Sequence, residues 1–337
     1  MGPPRSTPGP KRRVSADCGN VRGPSDEEPG PGTTLMPNPH WNPPKVERNQ
    51  RCPCGSGKKA KKCCLLPSGK LQRDIRIQPL KQPGPAFSNS QCYAGILNDC
   101  SHEMSREHYF SESVLKLLGK KIRLTGTPWL AGREKLLPLD AIASRILCKR
   151  HNEMLSPLDE EAGRFFSALE SMKSDNFEDP SFRFYSLFSG EAIERWLLKV
   201  TVGVTYSGSA GRSGGTKIEW RPSLRELEML FLGRSMPPRC GLYFKAPPYE
   251  TLKIERRLTF APVTYLETGQ LIACQLSMWA YSFVLPFVGA PAEANAGIFE
   301  HTEYRPRWLD FNAKRGIIEI SWNDPSLGTA IHITINR

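Results

Sequence analysis

Within fourteen residues, "RCPCGSGKKAKKCC" (Arg51–Cys64), the chain places four cysteines and four lysines. No other stretch restricts the fold as tightly, because thiols this close must either cross-link or share a ligand. Cys52 and Cys54 stand one residue apart, eight residues follow, and Cys63 and Cys64 are adjacent. Adjacent cysteines bridge each other only with strain. A chain without an export signal is also a poor setting for disulfides. A metal is the other answer. Four thiolates around one Zn²⁺ need a loop that doubles back, and "GSG" at Gly55–Gly57 supplies residues that tolerate positive φ. The lysines favour thiolate over thiol and offset the charge of a four-thiolate centre. The expectation is a zinc ion held by Cys52, Cys54, Cys63 and Cys64.

Charge follows the same stretch. Residues 1–84 carry sixteen Lys and Arg against six Asp and Glu, a net of +10 out of +12 for all 337 residues. Residues 85–170 are neutral and residues 171–337 carry +2. Such a concentrated basic segment favours polyanions: nucleic acid, acidic lipid or an acidic partner; the bland alternative is a solubilising tail. "MGPPRSTPGPKRRVSADCGN" has no apolar core of a secretory signal, so the cytoplasm is the expected compartment. Thr268–Ala292 is free of charge, which raises a membrane span. Its apolar residues Ile272, Cys274, Leu276 and Met278 fall on alternate positions, however, with Gln275 and Ser277 between them. That is strand period, so a buried strand pair is expected and a membrane contact is not.

The chain divides by composition. Residues 1–45 hold eleven Pro and six Gly with almost no large apolar side chains, which predicts a disordered arm. The Cys/Lys knuckle spans 46–68, a linker 69–90, and a second Cys/His region 91–172. After a polar break near 173–180, residues 181–337 predict an α+β domain of unassigned role with mostly antiparallel strands. Its first helix is "GEAIERWLLKVTVGV", with Ile193, Trp196, Leu197 and Val200 on one face. A second begins at Ser223, with Glu226 three residues on as a capping box. Strands are expected at "GLYFKA", "RRLTFAPVTYL", "QLIACQLSMWA", "FVLPFV", "GIIEISW" and "AIHITIN". "SGSAGRSGG" (Ser207–Gly215) lacks the Lys-Ser/Thr of a phosphate loop and reads as a hairpin tip.

The stretch "RNQRCPCGSGKKAKKCC" resembles the SEC-C motif, a small zinc knuckle found at the C-terminal end of the bacterial translocase ATPase SecA and in many other bacterial proteins. The resemblance covers about twenty residues. It implies a bacterial protein with a folded zinc module that touches partners, and it implies nothing about catalysis.

The second region offers Cys92, Cys100, His102, His108, Cys148 and His151. Cys148 and His151 have knuckle spacing, with His151 opening a helix that runs to Phe166. A second structural zinc on Cys92, Cys100, Cys148 and His151 is expected. Two alternatives are a Cys100–His102 pair and plain buried thiols in a helical core. "SREHYFSESVL" and "LCKRHN" together resemble the HNH nuclease fold, a ββα metal finger often stapled by zinc. The resemblance implies that His108 is a general base and that Glu107 helps hold a divalent ion, Mg²⁺, Mn²⁺ or Ni²⁺. It makes Asn152 the residue that orients the loop carrying His108. The last His of the family pattern has no counterpart here; Asp159 is the available carboxylate substitute. A metal-dependent endonuclease or a nuclease-like nucleic-acid binder is implied. The alternative is a non-catalytic adaptor whose knuckle docks a protein partner.

Overall fold

Beyond the knuckle, the chain pairs two strands that are far apart in sequence. The computed structural model describes residues 44–77, 86–172 (except 126 and 132), 184–211, 217–245, 257–265, 268–288 (except 280), 296–311 and 316–333 (except 325, 326 and 328). The proline-rich arm, the polar break and the centre of the Gly-rich tip lie outside the described residues.

Strand β1 (Met104–His108) is followed by a short helix α1 (Glu112–Lys116) and a hairpin, β2 (Lys121–Leu124) with β3 (Lys135–Pro138). Strand β4 (Ala143–Cys148) then returns to pair antiparallel with β1, Met104 opposite Cys148 and His108 opposite Ala143. A register shift between Ser105 and Glu107 marks a bulge. β4 feeds directly into α2 (Lys149–Ser171), which starts two residues before His151 and runs past Phe166. Its buried residues Met154, Leu155, Leu158, Ala162, Phe165, Phe166 and Leu169 repeat at helical spacing and form one face. β1, β4 and α2 therefore make a ββα finger.

Strand β5 (Phe184–Ser189) leads into α3 (Gly190–Tyr206), whose first turn is capped by Ser189 Oγ accepting from the Ala192 amide at 3.3 Å. Gly190 is required there, because a Cβ would run into the Trp322 ring. α3 is buried on nearly every side, as expected of a helix sandwiched between layers. Helix α4 (Leu224–Leu232) begins with the expected capping box, the Ser223 amide donating to Glu226 Oε2 at 2.7 Å.

Strands β6 (Tyr243–Lys245), β7 (Leu258–Thr264), β8 (Leu271–Met278), β9 (Tyr281–Pro286) and β10 (Glu303–Tyr304) form an antiparallel sheet in the order β10-β6-β9-β8-β7. β8 and β9 are the charge-free stretch: Ile272, Cys274, Leu276 and Met278 are buried, and Gln275 and Ser277 only half so. No helix among the described residues is long and apolar enough to cross a membrane. Strands β11 (Trp308–Phe311), β12 (Gly316–Ser321) and β13 (Ala330–His332) join β5 in a second sheet, order β13-β11-β12-β5. In it β11–β13 and β12–β5 run parallel. The class is α+β with mostly antiparallel pairing.

The finger and the sheets share one core. α2 contributes Phe165 and Phe166, β5 Phe188, α3 Trp196 and β9 Phe283, with ring centroids 5.3–5.9 Å apart. Buried residues from Cys92 to Ile333 form a single continuous cluster. Aromatic contacts of this kind add to the gain from burial itself.

Candidate metal centres

The knuckle folds by local bonds. The Cys52 amide donates to the Lys58 carbonyl at 2.8 Å, and the Cys63 amide to the Ala60 carbonyl at 3.0 Å. Between them Gly55 and Gly57 sit at φ 74° and 73°, the left-handed region that lets the loop reverse. The four sulfurs converge: all lie within 4.8 Å of one another, with Cys54–Cys63 at 3.4 Å and Cys63–Cys64 at 3.7 Å. Zn–S bonds of about 2.3 Å place tetrahedral sulfurs about 3.8 Å apart, so the spacing fits an all-sulfur site. The thiols also interact electrostatically. The Cys64 thiol hydrogen-bonds Cys54 and pulls it down to about 3; burial pushes Cys52 up to about 11. Cys54 is the favoured thiolate while Cys52 and Cys64 are pushed up, so full deprotonation of the cluster calls for a cation.

The knuckle is clamped to the body. Glu161, 1 % exposed on α2, takes a two-pronged bond from Arg73 at 2.7 Å on each oxygen, and a third from Arg164 at 3.0 Å. Arg164 also donates to the Cys54 carbonyl, and the Leu187 amide of β5 to the Pro53 carbonyl at 3.2 Å. The sulfur side thus faces the protein. Arg48, Arg51, Lys58, Lys59, Lys61 and Lys62 all remain exposed.

The second centre assembles from four places: Cys92 in a turn, Cys100 just before β1, Cys148 at the end of β4 and His151 in the first turn of α2. His151 Nδ1 lies 3.2 Å from Cys148 Sγ, 3.5 Å from Cys92 Sγ and 3.8 Å from Cys100 Sγ. All four residues are buried. Asp99 Oδ1 sits 2.7 Å from His151 Nε2. That bond puts the imidazole proton on Nε2 and leaves the Nδ1 lone pair facing the sulfurs, the orientation a metal ligand needs. A hydrogen bond from Cys92, helped by the backbone amides of His151 and Ser101, holds the Cys148 thiol down at about 2. His102, the alternative partner for Cys100, instead lies against the Phe87 ring at 4.0 Å.

The SEC-C motif model matches residues 48–66. No curated protein and no solved structure matches the chain. The knuckle is thus supported twice, by the motif and by its converging sulfurs, whereas no family match supports an HNH domain. Both clusters have the donor sets and spacing of zinc sites.

The four residues drawn from the nuclease resemblance separate into three environments. Glu107, 3 % exposed, points inward from β1. There it meets the ammonium of Lys199 from α3, which also contacts both oxygens of Asp159 at 2.6 and 2.8 Å. Burial raises Glu107 to about 7, with Lys199 opposing. Lys199 is raised: burial would lower it, but the two carboxylates outweigh that. Ser111 hydrogen-bonds Asp159 and accepts from Trp196 Nε1 at 2.6 Å. His108, the next residue on β1, points to the other face by strand alternation. Its buried Nε2 stands 3.9 Å from Asp140, with no hydrogen-bond partner among the described residues. Asn152 donates to Ser105 Oγ at 2.9 Å, tying α2 to β1.

Sequence reasoning missed Lys199, Asp99 and the Glu161 clamp. A lone lysine inside "WLLKVTVGV" and an acid beside Cys100 were the signals available.

Proposed function

We propose that this protein binds nucleic acid through the outer face of its knuckle, with two structural zinc ions stapling the knuckle and a nuclease-like finger. The observation that carries this reading is the charge and placement of residues 44–70. They hold eight Lys and Arg against one acid, Glu47. Their sulfur face is held against α2 and β5, so the cations form a fixed basic surface instead of a loose tail. Phosphates bound there release counterions, and affinity falls with salt. The ββα order of β1, β4 and α2 supports the nuclease-like finger. Lys199 between Glu107 and Asp159 favours binding without cleavage, because it neutralises the carboxylates that would hold a catalytic ion.

The test is fluorescence anisotropy on DNA and RNA duplexes and single strands over a salt series. The Lys58→Glu, Lys59→Glu, Lys61→Glu, Lys62→Glu variant should weaken binding to every sequence and flatten the salt slope by up to about 4. An unchanged slope would sink the reading and leave the basic face to an acidic protein partner. Plasmid cleavage in Mg²⁺, Mn²⁺ and Ni²⁺ addresses catalysis: cleavage that His108→Ala abolishes, with zinc content intact, would make the protein a nuclease.

A further inference from the structure

Between the finger and the edge of the five-stranded sheet lies a cavity of about 960 Å³, away from both metal centres and from the basic knuckle. That is the upper end of the range for small-molecule sites, about 300–1,000 Å³. Its walls come from the β2–β3 hairpin, α1, the end of α3 and the edge strand β7. Ile122, Leu136 and Phe260 line it. Leu136 is 55 % exposed, one of five large apolar side chains left so among the described residues.

Not every cation that lines the cavity is paired among the described residues. Lys121 and Arg257 line the cavity. Among the described residues neither has a carboxylate partner, whereas Arg123 is paired with Glu134, the cavity's one acidic lining residue. The lining therefore carries a net +2 over an apolar floor.

We propose that this cavity binds a long-chain carboxylate as the free molecule. The apolar chain lies against Ile122, Leu136 and Phe260. The carboxylate meets Lys121 and Arg257. The cations set the choice of an anionic amphiphile over a neutral one, since a neutral ligand would leave both unpaired.

The test is isothermal titration of the full chain, zinc content checked, with monomeric dodecanoate and with dodecanol. Dodecanoate should bind saturably at one site and dodecanol at least about tenfold more weakly. Arg257→Glu should weaken dodecanoate about tenfold and leave dodecanol unchanged. Leu136→Glu, at an exposed position that leaves the core intact, should weaken both. Absence of saturable dodecanoate binding would overturn the proposal. So would equal affinity for the alcohol, indifference to Leu136→Glu, or binding only to anionic vesicles.

Discussion

The finger carries two clusters of metal-ligand residue types, one around the start of α2 and one between β1 and the middle of α2, and they resolve in opposite ways. At one end Cys92, Cys100, Cys148 and His151 converge with nothing cationic among them. At the other end Glu107 and Asp159 converge on Lys199. The first cluster needs an ion from outside; the second has one supplied by α3. Ligand chemistry alone therefore does not make a metal site. What decides is whether the fold has already neutralised the ligands, because buried charge without a partner is too costly to persist.

The largest expected effect comes from emptying the first cluster. His151→Ala should lower bound zinc from two ions per chain to one and destabilise the whole protein by several kcal/mol, since metal binding there is folding free energy. Cys63→Ala, at the exposed ligand of the knuckle, should lose one zinc as well but unfold only residues 48–66. Elemental analysis with hydrogen exchange separates the two. Equal global melting in both variants would break the distinction between core and clamped module.

The next effect tests the second cluster. Lys199→Met leaves two carboxylates facing each other in the interior and should cost about 3–5 kcal/mol. If Lys199 occupies a metal's place, millimolar-range Mn²⁺ should raise the melting temperature of Lys199→Ala and not that of the unmodified protein. No such rescue would mean the cluster is a packing feature with no latent ion site.

A smaller effect is expected from pH. Glu107 titrates near 7 in the fold, against an ordinary value of 4.5. The native state therefore binds more protons than the unfolded state between these values. Its stability contribution is complete below about 4.5 and is lost as pH rises through about 7. Against Glu107→Gln, the unmodified protein should lose at most about 3 kcal/mol across that window in chemical denaturation. A parallel pair of curves would show that Lys199 holds Glu107 ionised throughout.

The smallest effect concerns orientation. Asp99→Asn keeps all four ligands and loses the carboxylate that fixes the His151 tautomer. Zinc affinity in the finger should fall about 10–100-fold in chelator competition, with the knuckle unaffected. Unchanged affinity would mean that packing alone orients the ring.

The knuckle was legible in the sequence because its four ligands fall within thirteen positions, where chain connectivity itself forces them together. The helices beginning at Gly190 and Ser223, and the β8–β9 pair, were legible for a related reason: periodicity and caps are local. β1, β4 and β5 were not singled out as strands, since β1 is polar and short and β4 pairs with it across more than thirty intervening residues. The ligand set of the finger could be proposed from residue types and spacing. Only the fold brought Cys92 and Cys100 to Cys148 and His151, and added Asp99 behind the imidazole.

What tertiary structure alone decided is the pairing of charges that are distant in sequence. Lys199 lies 92 residues from Glu107 and 40 from Asp159, and Arg73 lies 88 from Glu161. A carboxylate next to a histidine in a sequence is a candidate ligand whatever surrounds it. In the folded chain, strand alternation sends Glu107 and His108 to opposite faces of β1, and the helix packed on the side of Glu107 delivers an ammonium group. Residue types and short spacings determine what a segment can bind. Which of those capacities stays open depends on what the fold packs against it, because in the interior every charge must find its counterpart.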